Sequence, residues 1–532
     1  MAGRKLSFHL RGVSEAEVAK AIHQLKAKKS SGIDGVSQEL LKQVASVIIV
    51  PLTLVINKSI SSGVFPHIWK RSRTVPIHKK GDKTLVSNYR PVSCLPAASK
   101  VLERVVLTQL ETFVEKNQLL PKNQHGFRSN RSTETALASM VAEWSKKHDD
   151  GLHTGILLWD LSSAFDTIDV NILCDKLMVY GLSEKSVGWF RSYLTNRQQQ
   201  IEIGNCLSQS ETVSVGCPQG ALLSPLLFIL YVADLELWIP EVNIHGYADD
   251  FTTAVSARDE ADVIRNLETN AKTILRYMAS NYLAVNPQKT CFMIIRSSRK
   301  DHQVARVKIG DSTIDEENCH SILGVTVNNT LTWTDHVYGS RGLLSSVKQR
   351  VGTLRRLSYQ IPRSYLSQIA SAVVAAKIRY GIAVYGSVRK NETEPIANAN
   401  KDLQVMLNKA MRIATGCRLA DRVSVSDLTG YTGIQSVNRM SAQSKIMLAW
   451  QGVNVPNSSL DVYFGSAQSH TSSRIKERGD IRAFSRSSFG QRNFPDTAIR
   501  LWNSTPQDLR KSEKKQSAKT NCKKHVNSLP LL

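Results

Sequence analysis

Three carboxylates stand where the neighbouring residues are mainly apolar. Asp160 follows the apolar run Gly155–Trp159, and Asp249 and Asp250 interrupt the stretch Gly246–Val255. An ionised carboxylate in such surroundings costs free energy unless a cation or hydrogen-bond donors compensate for its charge. If the two stretches are neighbouring strands, the acids converge, and oxygen-only ligands at that density suit Mg²⁺ or Mn²⁺ rather than zinc. Two such ions, about 3.5–4 Å apart, can catalyse phosphoryl transfer.

The elements that would position these acids alternate between strands and helices as far as about residue 335. Interleaved strands and helices predict an α+β or α/β domain. Strand-like runs lie at Gly155–Trp159, Gln200–Ile203 and Phe292–Ile295, and helical patterns at Lys100–Glu115, Thr133–Lys147, Val170–Tyr180 and Pro225–Leu237. Ser224-Pro225 is typical of an N-cap followed by proline at the first helical position.

The composition is that of a globular protein with a polyanionic partner. The 532 residues are 42% hydrophobic and 21% charged, enough for roughly two to four domains. Lys and Arg outnumber Asp and Glu by 69 to 45, which indicates nucleic acid or, less often, an anionic membrane surface. The most apolar runs, Val44–Ile56 and Ala221–Ala233, are about 13 residues long, too short to span a bilayer. They predict core elements, and no membrane partner is expected.

The eight cysteines match neither a disulfide framework nor a zinc ribbon. They form no C-x-x-C pair, and Cys319-His320 is an isolated pairing. Reduced thiols in an intracellular protein are typical of this pattern. The basic clusters would suit nuclear import, and we expect a nuclear location, although nucleic-acid binding explains the same clusters.

Beyond residue 340 the strand patterns give way to basic helices and then to a basic tail. The apolar face of Leu344–Leu354 predicts one helix, and a second is predicted from Pro362 to near Gly381. Thr471–Leu532 holds 14 Lys and Arg against 5 Asp and Glu. That excess predicts phosphate contacts or partial disorder.

A series of short motifs follows in order along most of the chain. The series comprises Lys29–Val36, Phe65–Lys70, Val75–Asp82, Asn88–Ser93, Gln124–Ser129, Asp160–Asp166, Gly216–Pro225, Tyr247–Asp250, Leu283–Thr290 and Ile322–Val325. Together the motifs resemble the reverse transcriptases of non-long-terminal-repeat (LINE-type) retrotransposons, most closely the jockey-like branch. Each motif alone is modest support, whereas the ordered series is specific. Phe484–Arg492 and Leu501–Pro506 resemble the carboxyl end of such elements.

The resemblance implies an α+β right-hand polymerase with fingers, a palm built on an antiparallel sheet, and a helical thumb. It divides the chain into an N-terminal extension (1–59), fingers and palm (60–335), a helical thumb-like domain (336–450) and a basic C-terminal tail (451–532). Complete family members carry an endonuclease before the polymerase, and this sequence shows no such region. Target-site nicking is therefore not predicted for this chain, and the sequence leaves open both a separately encoded endonuclease and a truncated element.

The resemblance also assigns the three acids. Asp160, Asp249 and Asp250 would be catalytic and hold two Mg²⁺ or Mn²⁺ ions, with Asp160 and Asp249 as the bridging ligands. Asp250 need not point the same way as its neighbour. Asp166, by contrast, is interpreted as a helix-cap or loop residue.

Further positions match the nucleotide-binding residues of the family. The family's triphosphate clamp corresponds to Lys79, Lys80 and Arg90. These residues belong to a segment, 65–90, that contains seven Lys and Arg. The alternative is a solvated basic face, and the sequence does not decide which of the two lysines contacts the triphosphate. Phe165 matches the sugar gate, with a core residue as the alternative. Gln219 matches the residue that lies against the incoming nucleotide, and Gly220 allows close backbone approach. Lys289 matches the general acid, with a surface lysine as the alternative.

The implied reaction is RNA-directed DNA synthesis. The primer 3′-hydroxyl would attack a deoxynucleoside triphosphate, with an RNA template, a DNA primer and dNTPs as partners. An RNA-copying RNA polymerase is a rival within the same architecture. A degenerate or domesticated element remnant that binds nucleic acid without catalysis is a rival from another class.

Overall fold

Strands from distant parts of the sequence form the central sheet. The structure is a computed structural model, and it describes residues 6–297, 303–386, 395–464, 480–481 and 493–529. The strands are β1 (Arg71–His78), β2 (Tyr89–Cys94), β3 (His153–Ser162), β4 (Arg197–Ile203), β5 (Cys206–Leu207), β6 (Glu211–Val213), β7 (Asn243–Tyr247), β8 (Asp250–Ala257), β9 (Ala284–Val285), β10 (Cys291–Ile295), β11 (Arg306–Ile309), β12 (Ser312–Asp315), β13 (Cys319–Ile322) and β14 (Val325–Asn328).

The central sheet has the strand order β10-β3-β8-β7, with β9 attached to the end of β3, and all its pairs are antiparallel. A second sheet has the order β2-β1-β4-β5, with β6 beside β4, and here β1 and β4 run parallel. Two hairpins, β11–β12 and β13–β14, complete the strand pairing. Mixed helices and antiparallel sheet confirm the α+β class.

The helices in the first 300 residues follow the sequence patterns closely, and their ends differ by a few residues. They are α1 (Glu15–Gln24), α2 (Gln38–Gln43), α3 (Ala45–Ser62), α4 (Ala97–Lys116), α5 (Thr133–Asp149), α6 (Val170–Val179), α7 (Glu184–Leu194), α8 (Ser224–Tyr231), α9 (Leu235–Trp238) and α10 (Glu260–Ser280).

One predicted helix is two. The pattern at Pro225–Leu237 gives α8 and the short α9 because the Lys176 ammonium donates to the Tyr231 carbonyl at 2.6 Å and to Asp234 at 2.7 Å. Tyr277 also donates to Asp234, at 2.6 Å. The first of the two helices ends at Tyr231, whose carbonyl accepts from Lys176. The periodicity of the sequence cannot reveal this contact.

Most of the residues that the structure describes beyond β14 are helical. The predicted helix near Pro362 is present as α13, a π-helical turn (Ser371–Ala375) and α14 in succession. The helices are α11 (Thr334–Tyr338), α12 (Leu343–Leu357), α13 (Arg363–Ala370), α14 (Ala376–Arg379), α15 (Ile382–Tyr385), α16 (Pro395–Thr415), α17 (Val425–Thr432), α18 (Val437–Asn454), α19 (Asp461–Phe464), α20 (Asp496–Asn503), α21 (Gln507–Arg510) and α22 (Lys515–Ser528).

Two hydrophobic cores cover the two faces of the central sheet. Successive side chains of a strand point to opposite faces, so Leu157 and Trp159 enter the first core and Ile156 enters the second. The first core includes buried residues of α4, α6, α8 and α10, and the second those of α5, α12, α16 and α18. This double burial explains why the strand before Asp160 is apolar at nearly every position.

The described part of the basic tail is folded. Trp502, Leu509 and Cys522 of α20–α22 are buried in the second core, so this part of the tail is packed, and the predicted phosphate contacts stay a prediction. Phe484–Arg492 lies outside the described residues, whereas Leu501–Pro506 forms the end of α20 and the turn after it. The predicted domain boundaries at 59, 335 and 450 fall inside α3, α11 and α18, and the domain division stays a prediction.

By length and composition alone, α3 could cross a membrane: its 18 residues have a mean hydropathy of 1.5. The sequence estimate of about 13 residues was too short, because the helix continues through the more polar residues 57–62. Core helices pass the same test, and Leu52 and Ile56 are indeed buried in the first core. The second apolar run forms α8, which is buried throughout apart from Pro225.

Candidate active site

Strand pairing brings the three acids to one end of the central sheet. Asp160 and Asp250 are direct partners in the antiparallel pair β3–β8. Asp250 also pairs with Tyr247 across β7–β8, so Ala248 and Asp249 form the two-residue tip of that hairpin. The acid site, defined as Asp160, Asp249 and Asp250, therefore combines one strand end with one hairpin tip.

The segment Asn123–Gly126 braces this hairpin through its backbone. The His125 amide donates to the Gly246 carbonyl at 2.7 Å, and the Gly246 amide donates to the Asn123 carbonyl at 3.0 Å. A Cβ atom at Gly126 would lie 2.2 Å from the Ala248 nitrogen, and one at Gly246 would lie 2.7 Å from Nε2 of Gln124. Glycine is required at Gly126 because two backbone segments touch there, whereas at Gly246 the contact is with the side-chain amide of Gln124.

The hairpin tip is also strained. Ala248 has φ = 62°, a left-handed conformation that costs a non-glycine residue roughly 1–2 kcal/mol. Such strain persists when the surroundings over-determine the backbone, and it clusters at functional sites. The Gly126 contact supplies that constraint, and it fixes the residue immediately before Asp249.

The electrostatics of the acid site favour a cation. Asp250 lies at the surface, but partial burial of its carboxyl group, and then the charges of Asp249 and Asp160, raise its pKa to about 6. Converging carboxylates repel one another unless a cation lies between them. Three oxygen donors of this kind fit a pair of Mg²⁺ or Mn²⁺ ions.

Lys289 contributes a positive charge to the same site. Its Nζ lies 3.0 Å from Oδ2 of Asp160. The Asn286 amide donates to the Asp160 carbonyl at 2.9 Å, which positions the turn Pro287–Lys289 beside β3. The Lys289 side chain is 61% exposed, and exposed ion pairs contribute at most about 1 kcal/mol. The ammonium is therefore next to the acids and free to exchange partners.

The turn Pro218–Gly220 connects the turn that follows β3 to β2. Gln219 donates from Nε2 to both carboxylate oxygens of Asp166, at 2.9 and 2.7 Å. Its carbonyl accepts from the Ser93 amide at 2.7 Å. Gly220 has φ = 119°, and a Cβ atom there would lie 2.6 Å from the Ser93 carbonyl oxygen. The close approach predicted at Gly220 is therefore a contact with the protein's own backbone.

Asp166 and Ser224 have roles that sequence reasoning missed. Asp166 orients Gln219, and its only sequence signal was the D-x5-D spacing from Asp160. Ser224 is the first helical residue of α8 rather than its N-cap, and its hydroxyl donates to the Pro218 carbonyl at 2.9 Å. It thereby closes the turn instead of capping the helix.

Phe165 lies between the first core and the surface. It is half-buried, and its ring centroid lies 4.9 Å from that of Phe228, a fully buried residue of α8. On another side the exposed Phe127 ring approaches at 6.3 Å. The core contact is real, and the exposed part of the ring leaves the sugar-gate prediction open.

The three basic residues of the β1–β2 hairpin are exposed. Lys79 and Lys80 follow β1, and Arg90 pairs with Ile77 in the hairpin. Burial raises the pKa of Asp166, while its hydrogen bond with Gln219 and the charge of Lys79 oppose that rise. The charge of Lys79 thus acts on the region around Gln219.

A cavity of about 120 Å³ opens beside the acid site. Its lining includes Asp160, Asp250 and Lys289 on one side and His320 and Leu323 of the β13–β14 region on another. The acids therefore border a concave, partly polar space.

Comparison with known proteins agrees with the geometry. The family model described as reverse transcriptase (RNA-dependent DNA polymerase) matches residues 77–327. A probable RNA-directed DNA polymerase from transposon BS of Drosophila melanogaster is 28% identical over 78% of this chain and 46% of the relative. A probable RNA-directed DNA polymerase from transposon X-element of the same species is 26% identical over 80% of this chain and 47% of the relative.

The RNA-directed DNA polymerase from mobile element jockey of Drosophila melanogaster is 25% identical over 74% of this chain and 43% of its own length. The chain thus spans about half the length of these curated relatives. The matched region contains the acid site, Gln219 and Lys289. Residues 77–327 therefore match the reverse transcriptase family, whose fold is the right-hand polymerase, and the chain is similar to polymerases of non-long-terminal-repeat retrotransposons.

Proposed function

We propose that this chain is an RNA-directed DNA polymerase that adds deoxynucleotides to the 3′-hydroxyl of a DNA primer on an RNA template. The observation that carries the proposal is the direct pairing of Asp160 with Asp250, with Asp249 at the adjoining hairpin tip. The relatives from transposon X-element and mobile element jockey are named as RNA-directed DNA polymerases, which supports this activity. The formal charge of +24 supports binding of a template–primer duplex through its phosphates.

The acid site supplies the ligands for the reaction. Asp160, Asp249 and Asp250 would hold two Mg²⁺ or Mn²⁺ ions, which when bound activate the attacking hydroxyl and stabilise the leaving group. Lys289, 3.0 Å from Asp160, is positioned to hold a proton beside the acids. Its proposed role is to donate that proton to the pyrophosphate.

The neighbouring elements would position the nucleotide. Lys79, Lys80 and Arg90 offer charge to the triphosphate, and Arg90 can do so in bidentate geometry. The charge of Lys79 acts on Asp166, which holds Gln219, and this supports Lys79 for the triphosphate contact. Gln219, oriented by Asp166, would lie against the incoming nucleotide.

Primer extension on an RNA template tests the proposal. With dNTPs and Mg²⁺ we expect extension by the wild type and a rate at least about 10³-fold lower in Asp249→Asn, because metal ligation is worth several kcal/mol of transition-state stabilisation. Asp311→Asn, an exposed acid in the β11–β12 turn, is the matched control and should keep full activity. A wild type that binds the duplex without extending the primer would favour the non-catalytic remnant instead.

Nuclear location and the lack of target-site nicking by this chain stay predictions from the sequence. Imaging a tagged chain in the host cell tests the first. Adding the purified chain to supercoiled target DNA tests the second, and nicks in that DNA would contradict it.

A further inference from the structure

Cys291, Glu317 and His320 form a side-chain cluster that the proposed polymerase reaction does not use. One potential ligand atom from each lies within 4.8 Å of the other two. His320 Nδ1 and Glu317 Oε2 are 2.9 Å apart, and the Cys291 thiol donates to the Lys289 carbonyl at 3.5 Å. Cys291 is buried, whereas Glu317 and His320 reach solvent, so an ion could enter from the surface.

The backbone holds the three side chains together. The Glu317 amide donates to the Phe292 carbonyl at 2.8 Å, which ties the segment before β13 to β10. The adjacent Glu316 is buried and paired with Arg296, at the end of β10. Cys291 begins β10 and His320 lies within β13, in register with Val327 of β14. The cluster is therefore assembled by strand pairing and an ion pair without any ligand.

The donor set differs in kind from the acid site. A thiolate, an imidazole and a carboxylate suit zinc and similar transition metals, whereas Mg²⁺ prefers oxygen ligands alone. Zinc ligands at about 2.0–2.3 Å from the ion are roughly 3.3–3.7 Å apart, a spacing reached from the present one by small side-chain movements. A divalent ion would also balance the charges of the thiolate and the carboxylate.

We propose that Cys291, Glu317 and His320 form a zinc-class metal site with three protein ligands and a fourth position open to solvent. The site stands apart from the polymerase proposal, because none of its ligands belongs to the acid site. His320 nevertheless lines the same cavity as Asp160, and Cys291 follows the turn of Lys289 by two residues. The bound ion would therefore fix part of the wall of the cavity that the acids also line.

Cobalt substitution provides the test. Co²⁺ bound to a thiolate has a sulfur-to-metal absorption band that oxygen ligands cannot produce, so excess Mg²⁺ can be kept present to saturate the acid site. We expect the band in the wild type, at one Co²⁺ per chain, and its displacement by Zn²⁺. Cys291→Ser should remove it. Cys319→Ser is the matched control, because Cys319 is exposed on the same strand as His320 and lies outside the cluster, and it should keep the band.

Two further variants guard against a folding failure in Cys291→Ser. Glu317→Gln and His320→Asn change exposed or half-buried side chains, and each should weaken Zn²⁺ binding in calorimetry at least about tenfold, since even outer-shell partners are worth about 10–100-fold. Circular dichroism checks that each variant is folded. No thiolate band in the wild type, a band unchanged in folded Cys291→Ser, or unchanged Zn²⁺ affinity in both other variants would overturn the site.

Discussion

Asp160 and Asp250 face each other across two paired strands with hydrophobic cores on both faces, whereas Lys79, Lys80 and Arg90 extend from an exposed hairpin. The acids cannot move apart without breaking the central sheet. The basic residues can move at little cost, because exposed charges make weak contacts. The fold thus fixes the groups that would hold metal and leaves the groups that would hold the triphosphate adaptable.

Gly126→Ala attacks the fixed side of this comparison most directly. Its Cβ atom would meet the Ala248 nitrogen at 2.2 Å, so the hairpin tip must shift. A 1 Å displacement of a catalytic group can cost about 10²-fold, and overpacking costs about 1–3 kcal/mol of stability. We expect primer extension to fall at least about 10²-fold while the chain still folds.

Gly188→Ala is the matched control for that change. A Cβ atom at Gly188, on the exposed side of α7, meets nothing within 4 Å. Alanine is the better helix former by up to about 1 kcal/mol, so this variant should melt at the same or a higher temperature with full activity. Normal activity in Gly126→Ala would show that the bracing contact does not set the position of Asp249.

Lys79→Ala and Lys80→Ala test the adaptable side. Both lysines are exposed, and the charge of Lys79 lowers the pKa of Asp166. We expect the KM for dNTPs to rise about tenfold in Lys79→Ala, because this variant loses one charged contact worth about 1.4 kcal/mol. In Lys80→Ala we expect the KM to rise about twofold. Steady-state kinetics on one template–primer decides. Equal effects of the two changes would remove the distinction between the lysines.

Phe165→Ala tests whether the Phe165 ring is only part of the fixed core or also contacts the nucleotide as a sugar gate. A pure core residue predicts lost stability, about 2 kcal/mol for a half-buried ring, with unchanged nucleotide choice. A sugar gate also predicts ribonucleotide incorporation several-fold above wild type, which we expect. Phe228→Leu, in the buried partner of Phe165, is the control that should lower stability without changing the choice of sugar. Unchanged discrimination in Phe165→Ala would favour the core role and keep the RNA-copying rival open.

The smallest predicted effect is a pH dependence of the metal-free protein. The pKa of Asp250 is raised from 3.8 to about 6, first by burial, so between these values the unfolded chain binds fewer protons than the folded one. Stability therefore falls as pH rises through this window, by less than about 1 kcal/mol because solvent screens the site. Asp250→Asn should flatten the profile in thermal melts, and Mg²⁺ should offset the loss at pH 7. An unchanged profile in the variant would contradict this account of the acid site.

The sequence predicted the convergence of the three acids, because there residue type alone carries the information. An acid after an apolar strand is improbable without compensation, and this located Asp160, Asp249 and Asp250 and the strands around them. Contacts between distant backbones carry no such signal. The bracing of Gly246 by Asn123–Gly126 could be suspected only from the glycines.

Other features required the three-dimensional pairing. The end of α8 depends on Lys176, far from it in sequence. The orientation of Gln219 depends on Asp166. The cluster of Cys291, Glu317 and His320 has no metal-ligand spacing, because its residues come from separate strands and the segment between them. The packed helices α20–α22 were mistaken for part of a loose tail because their basic exposed faces outweigh a few buried apolar residues.

The central claim is that the fixed acids hold two divalent ions. Titration of Mn²⁺ into the chain, bound to a primer–template duplex and a non-reactive dNTP analogue, measures this by the loss of the free Mn²⁺ signal in electron paramagnetic resonance. The account predicts at least two bound ions for the wild type and fewer for Asp249→Asn, with Asp311→Asn unchanged. The same number of ions bound to wild type and Asp249→Asn would contradict it.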